Sequence, residues 1–150
     1  MKFGAKVAAQ EGYIPPEQYN QDFLLMPEDF SDVGQAIVLS REYMDRLRFS
    51  PATDYIVFNG SFWEESQPNA QGIAQELTAR QLEEAETEIQ RCMKEMSENG
   101  AWAMLAAMGA KKAMAAFSEV QRRSFEKYER AEAYRKYAIK RRDTKYISRL

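Results

Sequence analysis

Six basic side chains, Lys136, Lys140, Arg141, Arg142, Lys145 and Arg149, stand against the single Asp143 near the end of the chain, a net charge of +5 within fourteen residues. Cations at this density suit a polyanion, above all a phosphate backbone, where each neutralised phosphate releases counterions and adds a salt-dependent share of affinity. Nothing in the pattern reads a base sequence, so any DNA contact made here is sequence-independent. A basic last turn also complements the helix macrodipole, and the same residues therefore equally fit a helix end that touches no DNA. Glu119 with Arg123, Glu126 with Arg130 and Glu132 with Lys136 place the acid four residues before the base, which answers part of the upstream charge locally.

The other reactive side chains assemble no familiar reaction centre. There is no histidine and one cysteine, Cys92. The usual general base for a Ser or Cys nucleophile is therefore missing, and neither a Cys/His zinc site nor a disulfide framework can form within the chain. Such cysteine usage fits a reducing, intracellular compartment. The segment "GAKKA" at 109–113 lacks both the spacing and the hydroxyl of a phosphate-binding loop. Glu83, Glu84, Glu86 and Glu88 crowd one helical stretch, but such groups ordinarily form a solvated face, and that is the expectation here. Cys92 falls on an apolar stripe and is expected to be a small core residue. No catalytic residue, metal ligand or cofactor is assigned.

The elements that must hold these residues follow from composition and pattern. At 150 residues, 45% hydrophobic and 29% charged, the chain predicts one domain. Charge is divided along it: residues 1–110 carry 8 basic and 18 acidic side chains, whereas residues 111–149 carry 13 basic and 5 acidic. The longest uncharged run, "NGAWAMLAAMGA" at 99–110, is too short to cross a bilayer, and no signal-peptide core opens the chain, so no membrane partner is expected.

Residues 1–30, with Pro15, Pro16 and Pro27 and no sustained periodicity, predict a connector from an upstream region, with room for one short helix, that contributes nothing to the core. "SDVGQAIVLSREYMDRL" predicts an amphipathic helix capped by Ser31 or Asp32, with Val33, Ala36, Ile37, Tyr43, Met44 and Leu47 on its apolar face. "LRFS" and "YIVF" flank a turn at Pro51–Asp54, and Asn59-Gly60 suits a two-residue type I′ turn, so a three-stranded meander is expected over 46–65. Phe49, Tyr55, Phe58, Phe62 and Trp63 are expected to pack on helices, although an exposed ring, Trp63 first, could stack on unpaired bases. A long helix over 69–98 should bury Ile73, Leu77, Ala85, Ile89, Cys92 and Met96 and stop at Asn99-Gly100. An Ala/Met/Trp helix broken near Gly109 follows. The last helix, from Lys111 or Ser118, carries Phe117, Val120, Ser124, Tyr128, Ala131, Tyr134 and Ala138 on one stripe and Lys112, Arg123, Lys127, Arg130 and Arg141 opposite. The fold class is mainly α with a small antiparallel β-meander, an α+β compact helical domain.

Residues 31–66 resemble the start of the domain that precedes the helicase in phage, plasmid and poxvirus primase-helicases. The matching features are Asp32 to Ala36 at the helix start, Arg41 to Tyr43, the Asn59-Gly60 turn where the family usually has Asp-Gly, and Trp63-Glu64. "AYRKYAIKRRDTKYISRL" is similar to the family's helical end, so the likeness spans roughly residues 30–150. It implies a noncatalytic module of a phage or prophage replication protein, cytoplasmic in a bacterial host. The ATPase, with its ATP and Mg, would follow Leu150, and any primase site would precede Met1. The implied partners are DNA, the helicase domain of the same polypeptide and, in the full-length protein, further copies. Two readings result. In one, the module positions the helicase ring and grips the DNA backbone through Lys136, Lys140, Arg141, Arg142, Lys145 and Arg149. In the other it is a protein-interaction or oligomerisation module without DNA affinity. A small standalone enzyme, the third reading, is opposed by the missing histidine and phosphate loop.

Overall fold

The computed structural model describes residues 23–50 and 54–142. Ser31 opens the first helix, α1 (Asp32–Tyr43), by accepting the Gly34 amide on its hydroxyl at 3.0 Å. A turn then leads into strands β1 (Leu47–Ser50), β2 (Asp54–Phe58) and β3 (Trp63–Glu65), an antiparallel sheet in the order β1-β2-β3. Ser66 caps the long helix α2 (Gln67–Asn99), which has Pro68 in its first turn, where a missing amide hydrogen costs nothing. Gly100, at φ 88°, ends α2 in the left-handed conformation. Helix α3 (Ala101–Ala116) follows and is broken at Gly109 (φ 81°). Ser118 then starts α4 (Glu119–Arg142) with a reciprocal capping box: its hydroxyl accepts the Gln121 amide while the Gln121 side chain accepts the Ser118 amide.

Helix α2 is the spine, and three clusters lie along it. At its start Ala70, Ile73 and Leu77 pack with Val38, Leu39 and Tyr43 of α1 and with Leu47 and Val57 of the sheet. In the middle Ala85 and Ile89 meet Ala131 and Tyr134 of α4. At its end Met96 meets Ala101, Ala113, Phe117 and Phe125. The predicted α2 stripe is therefore the observed one, with Cys92 buried beside it. The α4 stripe holds except at Val120, which is 64% exposed, while its neighbours Phe117 and Gln121 make the contacts with the end of α2.

Other expectations fail for identifiable reasons. Tyr43 and Leu47 are buried as expected, but Val33, Ile37 and Met44 face outward and α1 instead buries Gln35, Val38 and Leu39. An apolar count misses this face because its centre is polar. Gln35 and Gln81 exchange two amide hydrogen bonds of 2.8 Å, and Gln81 also donates to the Leu25 carbonyl at 2.9 Å, so the buried amides are satisfied. The expectation that the first 30 residues stay out of the core fails for the stretch from Phe23 to Pro27. Phe23 and Met26 join the middle cluster and Leu25 the first, and the ring of Phe30 stacks on Tyr137.

The second hairpin turn is also different. Phe58 pairs directly with Trp63, so four residues form the loop. Asn59 Oδ1 accepts the amides of Ser61 and Phe62, and Gly60 supplies the positive φ of 103°. Because alternation turns Leu47 and Val57 to the core, Phe58 lies on the other face and is 37% exposed; Phe62, in the loop, is 59% exposed. Neither ring is buried against a helix as expected, although Phe58 borders a recess that Pro68 and Gly72 of α2 also line. The side chains of Phe49 and Tyr55, and the turn at 51–53, lie outside the described residues.

Candidate nucleic-acid interface

The basic end of α4 is positioned by rings. Tyr134, fully buried, donates its hydroxyl to Glu84 Oε1 of α2 at 2.8 Å. One turn on, Tyr137 donates to the Ser31 carbonyl at 2.8 Å, and the Arg141 guanidinium lies 4.8 Å from the Tyr137 ring centroid. Arg141 also pairs with Asp32 at the start of α1, and its side chain is only 11% exposed. Two independent contacts thus clasp the α4 C-terminus to the α1 N-terminus. Burial pushes the Tyr137 hydroxyl up to about 12, with Arg141 opposing the rise. Tyr134 is driven well above the ordinary phenol range by burial and by the Glu84 carboxylate it donates to.

The sequence-predicted cations divide accordingly. Lys136, Lys140 and Arg142 are exposed, and Lys136 and Lys140, one turn apart, share a face. Arg141 is turned inward, as is Arg130, which periodicity placed on the solvated stripe but whose guanidinium lies 5.8 Å from the Phe23 ring. Lys145 and Arg149, with Asp143, lie outside the described residues. Arg135 reaches back to Glu86 at 3.5 Å across an open trough of about 560 Å³ that Glu83, Thr87 and Glu132 also line.

Trp63 sits apart on the sheet. Arg48 covers one face of its ring at 4.6 Å, and Phe58 meets it at 5.4 Å with a tilt of 50°. Phe62 is more exposed than Phe58 on this hairpin, and Glu64 and Glu65 follow Trp63 on the same strand.

The acidic stretch of α2 is not simply the solvated face expected. Glu84 accepts the Leu24 amide at 2.8 Å, the Leu25 amide at 3.1 Å and the Tyr134 hydroxyl, so it ties the segment before α1 to both long helices. Glu88, 4% exposed, is paired with Arg91 at 2.5 Å. A carboxylate inside an apolar helix stripe is the one sequence signal that could have pointed to Glu88. Burial and the nearby Glu88 carboxylate push the Cys92 thiol up to about 11, which leaves it protonated and unreactive at neutral pH. No group of three or more His, Cys, Asp or Glu that could hold a metal ion occurs among the described residues.

Residues 36–150 match the family described as D5 N terminal like. The chain belongs to that family. The family is the N-terminal domain of D5-type primase-helicase proteins, which gives the chain a DNA replication and primase-helicase context. No curated protein and no solved structure gives a match. Three residues from the sequence resemblance, Asp32 and Gly34 just before the matched span and Tyr43 within it, do structural work. Asp32 holds Arg141; Gly34 lies where a Cβ would collide with the Asp29 carbonyl; Tyr43 donates to Glu76 at 3.0 Å and accepts from Arg80 at 3.0 Å. No helix among the described residues is long and apolar enough to cross a membrane.

Proposed function

We propose that this chain is a noncatalytic module that positions the helicase ring of its parent protein and grips the DNA backbone through the end of α4. The observation that carries this reading is the exposure of Lys136, Lys140 and Arg142 at the end of a helix whose buried rings fix its direction. Lys145 and Arg149 extend the same cluster in sequence. Arg141 serves the site by clasping Asp32, which steadies the helix end, while ATP, Mg and unwinding belong to the neighbouring helicase domain.

The test is a titration of labelled single-stranded and duplex DNA by fluorescence anisotropy at several salt concentrations. The triple variant Lys136→Glu, Lys140→Glu and Arg142→Glu should bind about a hundredfold more weakly at low salt and lower the log–log salt slope by about 2 to 3. Equal binding by the triple variant and the parent chain refutes backbone contact at this site. The alternative, an interaction module with no DNA affinity, is favoured by the two arginines already answered inside the fold, Arg135 by Glu86 and Arg141 by Asp32. It predicts no anisotropy change and co-elution with the separately produced helicase domain.

A further inference from the structure

Helix α1 carries apolar side chains on two opposite sides. Its buried side holds Val38 and Leu39 around Gln35, while Val33, Ile37 and Met44 project away from the core, 69%, 61% and 64% exposed. These three are spaced by four and then seven residues, and Met44, which follows the helix, keeps helical backbone angles (φ -61°, ψ -20°). At about 100° per residue they lie within about 40° of one another, on one straight stripe about 17 Å long. Ser40, also exposed, falls on the same line and adds no charge. A surface helix ordinarily turns one apolar stripe to the core and leaves the opposite side polar, so a second stripe calls for a cover.

Size and position identify the cover. Three side chains fall far short of the roughly 20–30 residues a side on which a stable complex of separate chains rests. A tethered segment needs much less, because its attachment supplies an effective concentration in the millimolar range. Along α2, α4 meets progressively earlier positions, with Phe125 near Met96 and Tyr134 at Glu84, and α1 does the same, with Gln35 at Gln81 and Tyr43 at Glu76. Both helices therefore run in the same sense past α2. The chain that leaves α4 at Arg142 starts where Arg141 pairs with Asp32, next to Val33, and is aimed along α1. The next eight residues, "DTKYISRL", include Tyr146, Ile147 and Leu150. Eight residues span about 12 Å as a helix and up to about 26 Å extended, so they reach Ile37 in either form and Met44 when extended. The segment before Phe23 is worse placed, since Phe23 lies against Tyr134 and Arg130, upstream of the clasp on α4. We infer that residues 143–150 lie along α1 and cover Val33, Ile37 and Met44 with Tyr146, Ile147 and Leu150, with Lys145 and Arg149 turned to solvent. This does not depend on DNA contact.

The experiment measures backbone amide NMR relaxation in the full chain. Order parameters at Lys145 to Arg149 should be about 0.85 in the parent and fall below about 0.6 in Ile37→Glu. Ile37 is an exposed position, and circular dichroism checks that the variant is folded. Conversely, the triple variant Tyr146→Ser/Ile147→Ser/Leu150→Ser should shift the methyl resonances of Val33, Ile37 and Met44 and leave those of the core residue Leu77 in place. Parent order parameters below about 0.6, order that persists in Ile37→Glu, or stripe methyls indifferent to the triple variant overturns the inference. So does sedimentation showing a dimer that Ile37→Glu dissociates, which would give the stripe to a second copy.

Discussion

Replacement of Glu84 by alanine should loosen the whole domain, because one half-buried carboxylate satisfies three donors from two other parts of the chain. The Tyr134 hydroxyl is the costliest to orphan, since its residue is fully buried and water cannot replace the acceptor. Leaving such a donor unsatisfied costs about 1–3 kcal/mol, and each hydrogen bond to a charged group contributes about 1.5–3 kcal/mol. Discounting the Leu24 amide, which water can reach, the loss comes to about 3–4 kcal/mol. That is a large part of the roughly 5–15 kcal/mol typical of a domain. Urea denaturation of the intact chain measures the loss, and hydrogen exchange at Leu24 and Leu25 should accelerate more than exchange in α2. A cycle with Tyr134→Phe isolates the tyrosine contact, with an expected coupling of about 1–2 kcal/mol. A change below about 1 kcal/mol for Glu84→Ala, zero coupling in the cycle, or unaltered exchange at Leu25 would refute this account of how the N-terminal segment is held.

Two further outcomes follow from particular contacts. Gly34→Ala should destabilise the fold by about 1–3 kcal/mol, the usual cost of overpacking, because the added methyl meets the Asp29 carbonyl; a thermal midpoint equal to the parent's contradicts the contact. Alkaline pH should weaken the domain through Tyr137 and Cys92, whose folded values rise to about 12 and about 11 from 10.0 and 9.0. The folded state then holds these protons more tightly, so their stabilisation is full below about pH 9 and lost as pH climbs to 12, about 3 kcal/mol for Tyr137. Stability measured from pH 10 to 12 should accordingly fall less steeply in Tyr137→Phe than in the parent, and parallel slopes would argue against a buried, proton-holding Tyr137.

Much of the architecture was legible because α2 and α4 bury residues that are apolar and regularly spaced. Leu77, Ile89 and Met96 announce their face, and Gly100 and Gly109 mark breaks that only backbone freedom explains. The same logic misread α1. There a satisfied Gln35–Gln81 pair occupies the buried centre while Val33 and Ile37 face water, and amide pairing across 46 residues leaves no periodic trace. Phe23 to Pro27 were missed because a segment without periodicity can still fill a groove that other elements create. In the candidate interface the charge cluster was visible, but its division was not. Whether an arginine faces DNA or a carboxylate depends on where α1 begins in space, and the Arg141–Asp32 contact joins residues 109 positions apart.

The length of α2 separates the clusters at its two ends. Ala70 beside the sheet and Met96 beside α3 are 26 positions apart on one helix, a distance of about 39 Å at roughly 1.5 Å per residue. Because α4 runs back along this rod, Phe125 lies near Met96 at its end, while Tyr134 reaches Glu84 and Tyr137 reaches Gln35, the partner of Gln81, so the clasped basic terminus sits beside the middle of the rod and α3 at its end. A rigid lever of this span amplifies: a tilt of about 10° imposed at one extremity displaces the other by about 7 Å.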